Sequence, residues 1–280
     1  MKIRIITDSA SDITDNKRED LTVIPMTISF GEVQYQDGIT LSHKEFYEKL
    51  IESDTLPTTS QIPPYTFQKA VEEAVGQGEK VIMITISSKL SGTWQSAMIA
   101  AENYPDSVYV VDSENVTVGE HILVEYALRM KDNGMTVEAI VEELESIKKR
   151  IRLVALLDTL EYLKKGGRVS KTVAFAGEML SIKPVVAIEN GEVVVIGKAR
   201  GSKKANNFII EKIQESGGID FDKPYFLGYT GLSDQLMHKY VEDNSSLWAD
   251  HVKELPIETV GGTIGTHAGP GAIAVAWVSK

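Results

Sequence analysis

Short apolar runs alternate with stretches of helical apolar spacing along the first half of the chain. Residues 3–7 (IRIIT) are an unbroken β-rich run that stops at the polar cluster DSASD, residues 8–12, as a strand buried on both faces does. Residues 22–30 (TVIPMTISF) are a second run of strand character. Residues 42–53 open on the hydroxyl of Ser42 and bring Phe46, Tyr47, Leu50 and Ile51 to one face, so a capped amphipathic helix is predicted there. Residues 56–64 (LPTTSQIPP) read as a loop whose prolines suit the opening turn of a helix over 65–75. VIMITI (81–86) is the next strand, followed by the hydroxyl-rich SSKLSGT and a helix running to about residue 103. A strand over 107–113 (SVYVVDS) and helices over 118–133 and 137–149 complete this half. Strands alternating with helices predict a Rossmann-like, mainly parallel sheet with helices on both faces.

The pattern changes after about residue 150. A strand over 152–158 leads into TLEYLKKGGR, a helix stopped by Gly166-Gly167. Residues 183–200 form a predicted hairpin whose Asn190-Gly191 fits a type I′ turn. A helix (202–216), a strand (225–229), a helix (233–244) and a last strand (272–278) follow. A second, mixed-sheet α/β domain is therefore expected. The division is placed at 1–153 for an N-terminal lobe and 154–280 for a C-terminal lobe, packed closely because no low-complexity linker intervenes.

Composition narrows the class. The chain of 280 residues is 42% apolar and 25% charged, the balance of a globular protein with a substantial core. The absence of cysteine excludes disulfides and thiolate metal sites. The formal charge of −11 argues against broad nucleic-acid binding. The apolar opening is too short for a signal peptide, and no window matches a membrane span, so a cytoplasmic protein without a transmembrane segment is expected.

Four polar clusters stand near strand ends or helix starts: residues 8–12, 58–61, 87–93 and 112–113. Ligands of open α/β sheets bind outside the carboxyl ends of the strands, and hydroxyls with unpaired N–H groups at a helix start favour an anion. Each cluster read alone is equally an ordinary helix cap. The usual nucleotide loops and the H-E-x-x-H metal motif are missing, and His43, His121, His238, His251 and His267 are scattered without metal-ligand spacing. No metal site is expected. Ser91-Gly92 lacks the preceding glycine of a nucleophile elbow. GGTIGTHAGPGA (261–272) crowds glycines around His267, which reads either as a backbone-bonded loop histidine or as a ligand contact. KKGGRVS (164–170) and KARGSKK (198–204) are basic turns in an acidic chain.

TDSASD, LPTTSQIPP, ISSKLSGTWQSA, VVDS, LEYLKKGGRVS, KPVV, KARGSKK and THAGPGA occur in that order over essentially the whole chain. In this combination the sequence resembles the DegV family, the fatty-acid-binding subunits of bacterial fatty acid kinase. It departs from the family pattern at Trp94, where a tyrosine is usual, at Ile62-Pro63 after TSQ, and at Ala274 in place of a last glycine. The resemblance implies two lobes with a long-chain fatty acid such as palmitate buried between them as the ligand, and no other cofactor. It implies carboxylate contacts from Thr59, Ser60, Ser88, Ser91, Gly92 and His267. It further implies that the protein is not catalytic alone. It would present the carboxylate to a separate ATP-dependent kinase subunit, docked through Arg168 and Arg200, for acyl phosphate formation feeding phospholipid synthesis. The competing expectation is a serine hydrolase of acyl esters or thioesters using Ser88 or Ser91 with His267.

Overall fold

The structure, a computed structural model, describes residues 2–14, 17–169, 182–248 and 255–280, with nothing stated of the side chains of Ser202, Lys203 and Ala205. Ser170 and His251, named above, lie outside the described residues.

The first half contains β1 (Ile3–Asp8), β2 (Leu21–Ile24), β3 (Thr27–Phe30), β4 (Val33–Gln36), α1 (His43–Glu52), β5 (Thr58–Ser60), α2 (Pro64–Gly76), β6 (Lys80–Thr85), α3 (Thr93–Ala101), β7 (Val108–Asp112), α4 (Val118–Asp132) and α5 (Val137–Ile147). The second half contains β8 (Ile151–Leu156), α6 (Glu161–Lys165), β9 (Ile182–Glu189), β10 (Glu192–Arg200), α7 (Ser202–Glu215), β11 (Phe226–Tyr229), α8 (Gln235–Asp243), α9 (Ser245–Trp248), β12 (Ile257–Thr259), α10 (Gly262–Ala268) and β13 (Ile273–Val278).

Among the described residues the strands form three sheets. The first is parallel in the order β2-β1-β6-β7, the second is six-stranded in the order β10-β9-β8-β13-β11-β12, and the third is β4-β3-β5. The α/β class and the pairing of a parallel with a mixed sheet are as the hydrophobic pattern requires. The helices α2 and α3 pack as one pair on the first sheet, and α4 and α5 as another. Pro25 divides the expected strand over 22–30 in two, because proline cannot donate to a ladder. Its first part, β2, joins the parallel sheet, and its second part, β3, pairs antiparallel with β4 and β5.

The second sheet has two apolar faces with different partners. Val154, Leu156, Val185, Val275 and Trp277 belong to one core, with Ile209 and Ile213 of α7 and Met237 and Tyr240 of α8. Leu153, Ala155, Val186, Ala274 and Ala276 belong to the same core as the first sheet. Period-two alternation along β8, β9 and β13 produces this sorting. The bridge between the sheets is α4, which packs against β1 and β6 and also against β8, β11 and β13. The expected lobe boundary at 153/154 falls inside β8, whose six residues all pair with β13. At the hairpin tip, Asn190 and Gly191 both take positive φ, 51° and 80°, as a type I′ turn demands. A side chain at Gly191 would lie 2.5 Å from Ser87 Oγ, and Ser87 donates to the Gly191 carbonyl at 2.7 Å. One hydroxyl of the expected anion loop thus holds the second sheet's hairpin against the first sheet.

Candidate functional site

A narrow cavity opens between the two sheets. Its wall is mainly apolar, with Leu153, Ala155, Val186, Ile188 and Ala274 from the second sheet and Ile86, Leu90 and Val116 from the first half of the chain. Thr59, Gln61, Ser91, Arg168 and His267 also line it and supply polar groups.

His267 reaches the cavity from α10, a short helix where the glycine-rich sequence predicts a loop. Glycine disfavours a helix interior by about 1 kcal/mol, and this helix contains Gly262 and Gly265. Partners distant in sequence offset that cost. Asp12 Oδ1 accepts from the Gly261 N–H at 2.8 Å, and Asp37 accepts from the Gly262 and Thr263 N–H groups at 3.0 and 3.1 Å. Both carboxylates are buried, and they satisfy N–H groups that a helix start leaves unpaired. Burial pushes the Asp12 carboxyl well above its usual range, against the pull of its bonds from Thr117 and Gly261. The glycines also permit close packing. A Cβ on Gly262 would lie 2.5 Å from Ile28 and one on Gly265 2.6 Å from the Tyr47 hydroxyl. One side of α10 is therefore pressed on the third sheet and α1. Thr263, Ile264, His267 and Ala268 are left to line the cavity.

His267 Nε2 and Thr59 Oγ1 are 2.9 Å apart, joining α10 to β5. His267 Nδ1 is buried without a partner. Burial pushes this imidazole down to about 4, and the Arg168 cation acts in the same direction, so the ring is neutral at pH 7. Arg168 donates to the Leu90 carbonyl at 3.2 Å and to the Gly166 carbonyl at 2.6 Å. The turn at Gly166-Gly167 brings it there. A Cβ at Gly166 would stand 2.1 Å from His267 Nδ1, so only glycine lets this turn pass the ring.

The loop before α3 is knitted to β5 and its continuation. Ser91 Oγ and Thr93 Oγ1 are 2.9 Å apart, and the Ile62 N–H donates to Thr93 Oγ1 at 3.3 Å. Gln61 donates to Ser96 Oγ at 3.3 Å and lies where a Gly92 side chain would be, 2.0 Å from that Cβ position. Gly92 thus serves as the seat for Gln61.

The structure brings together Thr59, Ser91 and His267 of the expected carboxylate contacts, and lines the same cavity with Arg168, expected at a docking face, and with Gln61. Ser60, Ser88, Gly92 and Arg200 are not in the cavity lining. Ser60 is exposed on β5, where alternation sends it away from the Thr59 side. Ser88 is half-buried, and its N–H donates to Asp112 Oδ1 at 3.2 Å. Arg200 is exposed at the end of β10. Gln61 stood inside the polar cluster 58–61, so its position carried a signal. The anchoring carboxylate of Asp37 carried none. Among the described residues no helix is long and apolar enough to cross a membrane.

The family model that matches this chain, described as "Uncharacterised protein, DegV family", spans residues 2–280. A DegV domain-containing protein of Caldanaerobacter subterraneus is 37% identical over 283 residues, covering 100% of this chain and 99% of its own. The structure is similar to that of a DegV family protein from Thermus thermophilus described by its fatty acid binding, with TM-score 0.89, 31% identity and full coverage of both chains. It is also similar to a stearic acid-binding protein from Eubacterium ventriosum, with TM-score 0.87, 26% identity, and coverage of 100% of this chain and 99% of that one.

Proposed function

We propose that this chain, which belongs to the DegV family, binds one long-chain fatty acid in the cavity between its two sheets. The observation that carries the reading is a polar cluster of Thr59, Ser91, Arg168 and His267 in an otherwise mainly apolar wall. Fatty-acid binding by the Thermus and Eubacterium proteins supports it. A sixteen-carbon chain has about 14 methylenes at roughly 0.8 kcal/mol each, about 11 kcal/mol gross, less the ordering costs of association. The acyl chain supplies most of the affinity. A carboxylate drawn in with it needs hydrogen bonds or it opposes binding.

The head group rests on Thr59 and Ser91, with His267 behind Thr59 and Arg168 beside them. With Nε2 protonated, neutral His267 donates to Thr59 Oγ1, and the Thr59 hydroxyl keeps its own hydrogen for the carboxylate. Removing one such donor costs about 1–3 kcal/mol, a tenfold to hundredfold loss of affinity. Thr59→Ala, Ser91→Ala and His267→Ala should each weaken fatty-acid retention by that factor, while Ser88→Ala leaves it unchanged. Equilibrium binding of hexadecanoate to the delipidated chain checks this. A loss in Ser88→Ala with none in Thr59→Ala would reverse the placement.

The division into two lobes at 153/154, a cytoplasmic setting, and service to a separate ATP-dependent kinase subunit complete the reading. The carboxylate would be presented for acyl phosphate formation, and the chain would carry no catalysis of its own. The missing nucleotide loops in the sequence support this. So does the pairing of His267 with Thr59, since a serine hydrolase would need that nitrogen on Ser88 or Ser91. Arg168, which lines the cavity, is assigned to the head-group side of this step, and exposed Arg200 to docking, where a local charge steers an oppositely charged partner. Arg200→Glu should slow acyl phosphate formation by the cognate kinase subunit about tenfold at low salt, with the fatty-acid content unaltered. Unchanged phosphorylation, or lost lipid, counts against that role.

A further inference from the structure

The hydroxyl of Ser91 is held by a residue outside the cavity wall. Thr93, the first residue of α3, is fully buried and does not line the cavity. Among the described residues its hydroxyl has two partners. The Ile62 N–H donates to Thr93 Oγ1 at 3.3 Å, and Ser91 Oγ lies 2.9 Å away. Distance alone allows either hydroxyl of the Ser91–Thr93 pair to be the donor, and burial decides between them. With Ser91 as donor, the Thr93 hydrogen would be shut in the interior without an acceptor, which is unfavourable. Thr93 therefore donates to Ser91. Ser91 Oγ also accepts from the Thr93 N–H at 3.3 Å. A hydroxyl oxygen has two acceptor positions, and Thr93 fills both. Ser91 keeps only its own hydrogen to offer, on a half-buried side chain at the cavity wall.

An ionised carboxylate only accepts hydrogen bonds, so a hydroxyl of the wall serves it by donating. Resting on the fatty-acid reading above, we propose that Thr93 is a positioning residue that fixes Ser91 as a donor to the ligand's carboxylate. The series runs from the Ile62 N–H through Thr93 and Ser91 to the ligand, and each bond polarises the next. Among the described residues no hydrogen bond joins this series to the His267–Thr59 pair, so the two hydroxyls are set independently.

The test is equilibrium binding of hexadecanoate to the delipidated full chain carrying Thr93→Val, alone and combined with Ser91→Ala or with Thr59→Ala. Thr93→Val should weaken binding about tenfold, the contribution of one hydrogen bond, and Thr93→Ser should restore it. In the Ser91→Ala background Thr93→Val should cost no further affinity, because the hydroxyl it positions is gone. In the Thr59→Ala background the tenfold loss should persist. A general disturbance of the fold would weaken binding to the same extent in both backgrounds. Urea midpoints verify that each variant folds, and Thr93→Ala takes the place of Thr93→Val if the valine variant does not. The proposal is overturned if Thr93→Val binds as tightly as the wild type, if its loss is as large without Ser91 as with it, or if the loss vanishes equally without Thr59. Failure of the wild type to bind hexadecanoate would instead overturn the fatty-acid reading on which the proposal rests.

Discussion

Ala155→Phe should lower fatty-acid retention by at least a hundredfold while leaving the chain folded. Ala155 lies directly opposite Ala274 in the antiparallel pairing of β8 with β13, and both methyl groups form part of the cavity wall. A benzyl group at either position projects into the space the acyl chain would occupy. Displacing about four methylenes at roughly 0.8 kcal/mol each removes about 3 kcal/mol, which is more than a factor of a hundred in affinity. The ring would take apolar surroundings already present, so the ligand-free protein should unfold at an equal or higher denaturant concentration. Ala274→Phe should behave alike. Isothermal titration with hexadecanoate, beside urea unfolding of the same samples, checks both halves. Retention of wild-type affinity by both variants would place the acyl chain elsewhere.

Asp37→Ala should destabilise the fold by about 3–5 kcal/mol. The buried Asp37 carboxylate accepts from Ser9 Oγ at 3.1 Å and from the Gly262 and Thr263 N–H groups. Its removal leaves these donors unpaired, at about 1–3 kcal/mol for each, summed with less than full additivity because they share one site. The damage falls on a helix whose glycines give it little propensity of its own, and that helix carries His267. Fatty-acid retention should fall together with stability. Asp37→Asn keeps an acceptor oxygen and should lose about half as much. Urea midpoints at constant slope measure the change. A loss under about 1 kcal/mol for Asp37→Ala would show that α10 is held by its packing on Phe46 and Tyr47 rather than by its acidic anchors.

The parts of the molecule legible in the sequence are those set by local periodicity. The strands of the parallel sheet, the Ser42 cap of α1, and the Asn190-Gly191 turn each depend on neighbouring residues alone. The break at Pro25 was less visible, since β-rich residues continue on both sides and only the sheets decide which strand joins which. Helix α10 was hidden because its sequence opposes a helix and its anchors stand 249 and 225 residues away, at Asp12 and Asp37. The site was legible as a set of hydroxyl clusters with one glycine-flanked histidine. The run SSKLSGT has no periodicity that tells Ser88 from Ser91, and loop geometry puts Ser91 on the cavity. Arg168 stands in a basic turn and was expected at the docking face, because the path of the chain past His267 depends on a glycine contact between distant segments.

The fatty-acid reading meets its most direct test in native mass spectrometry of the intact chain, purified without detergent, followed by denaturing release of whatever it carries. The expected result is a complex heavier than the chain by one long-chain fatty acid, with the released acid identified by its mass, and one-to-one uptake of hexadecanoate after delipidation. A bare chain that also fails to take up added hexadecanoate would contradict the binding of a fatty acid between the two sheets.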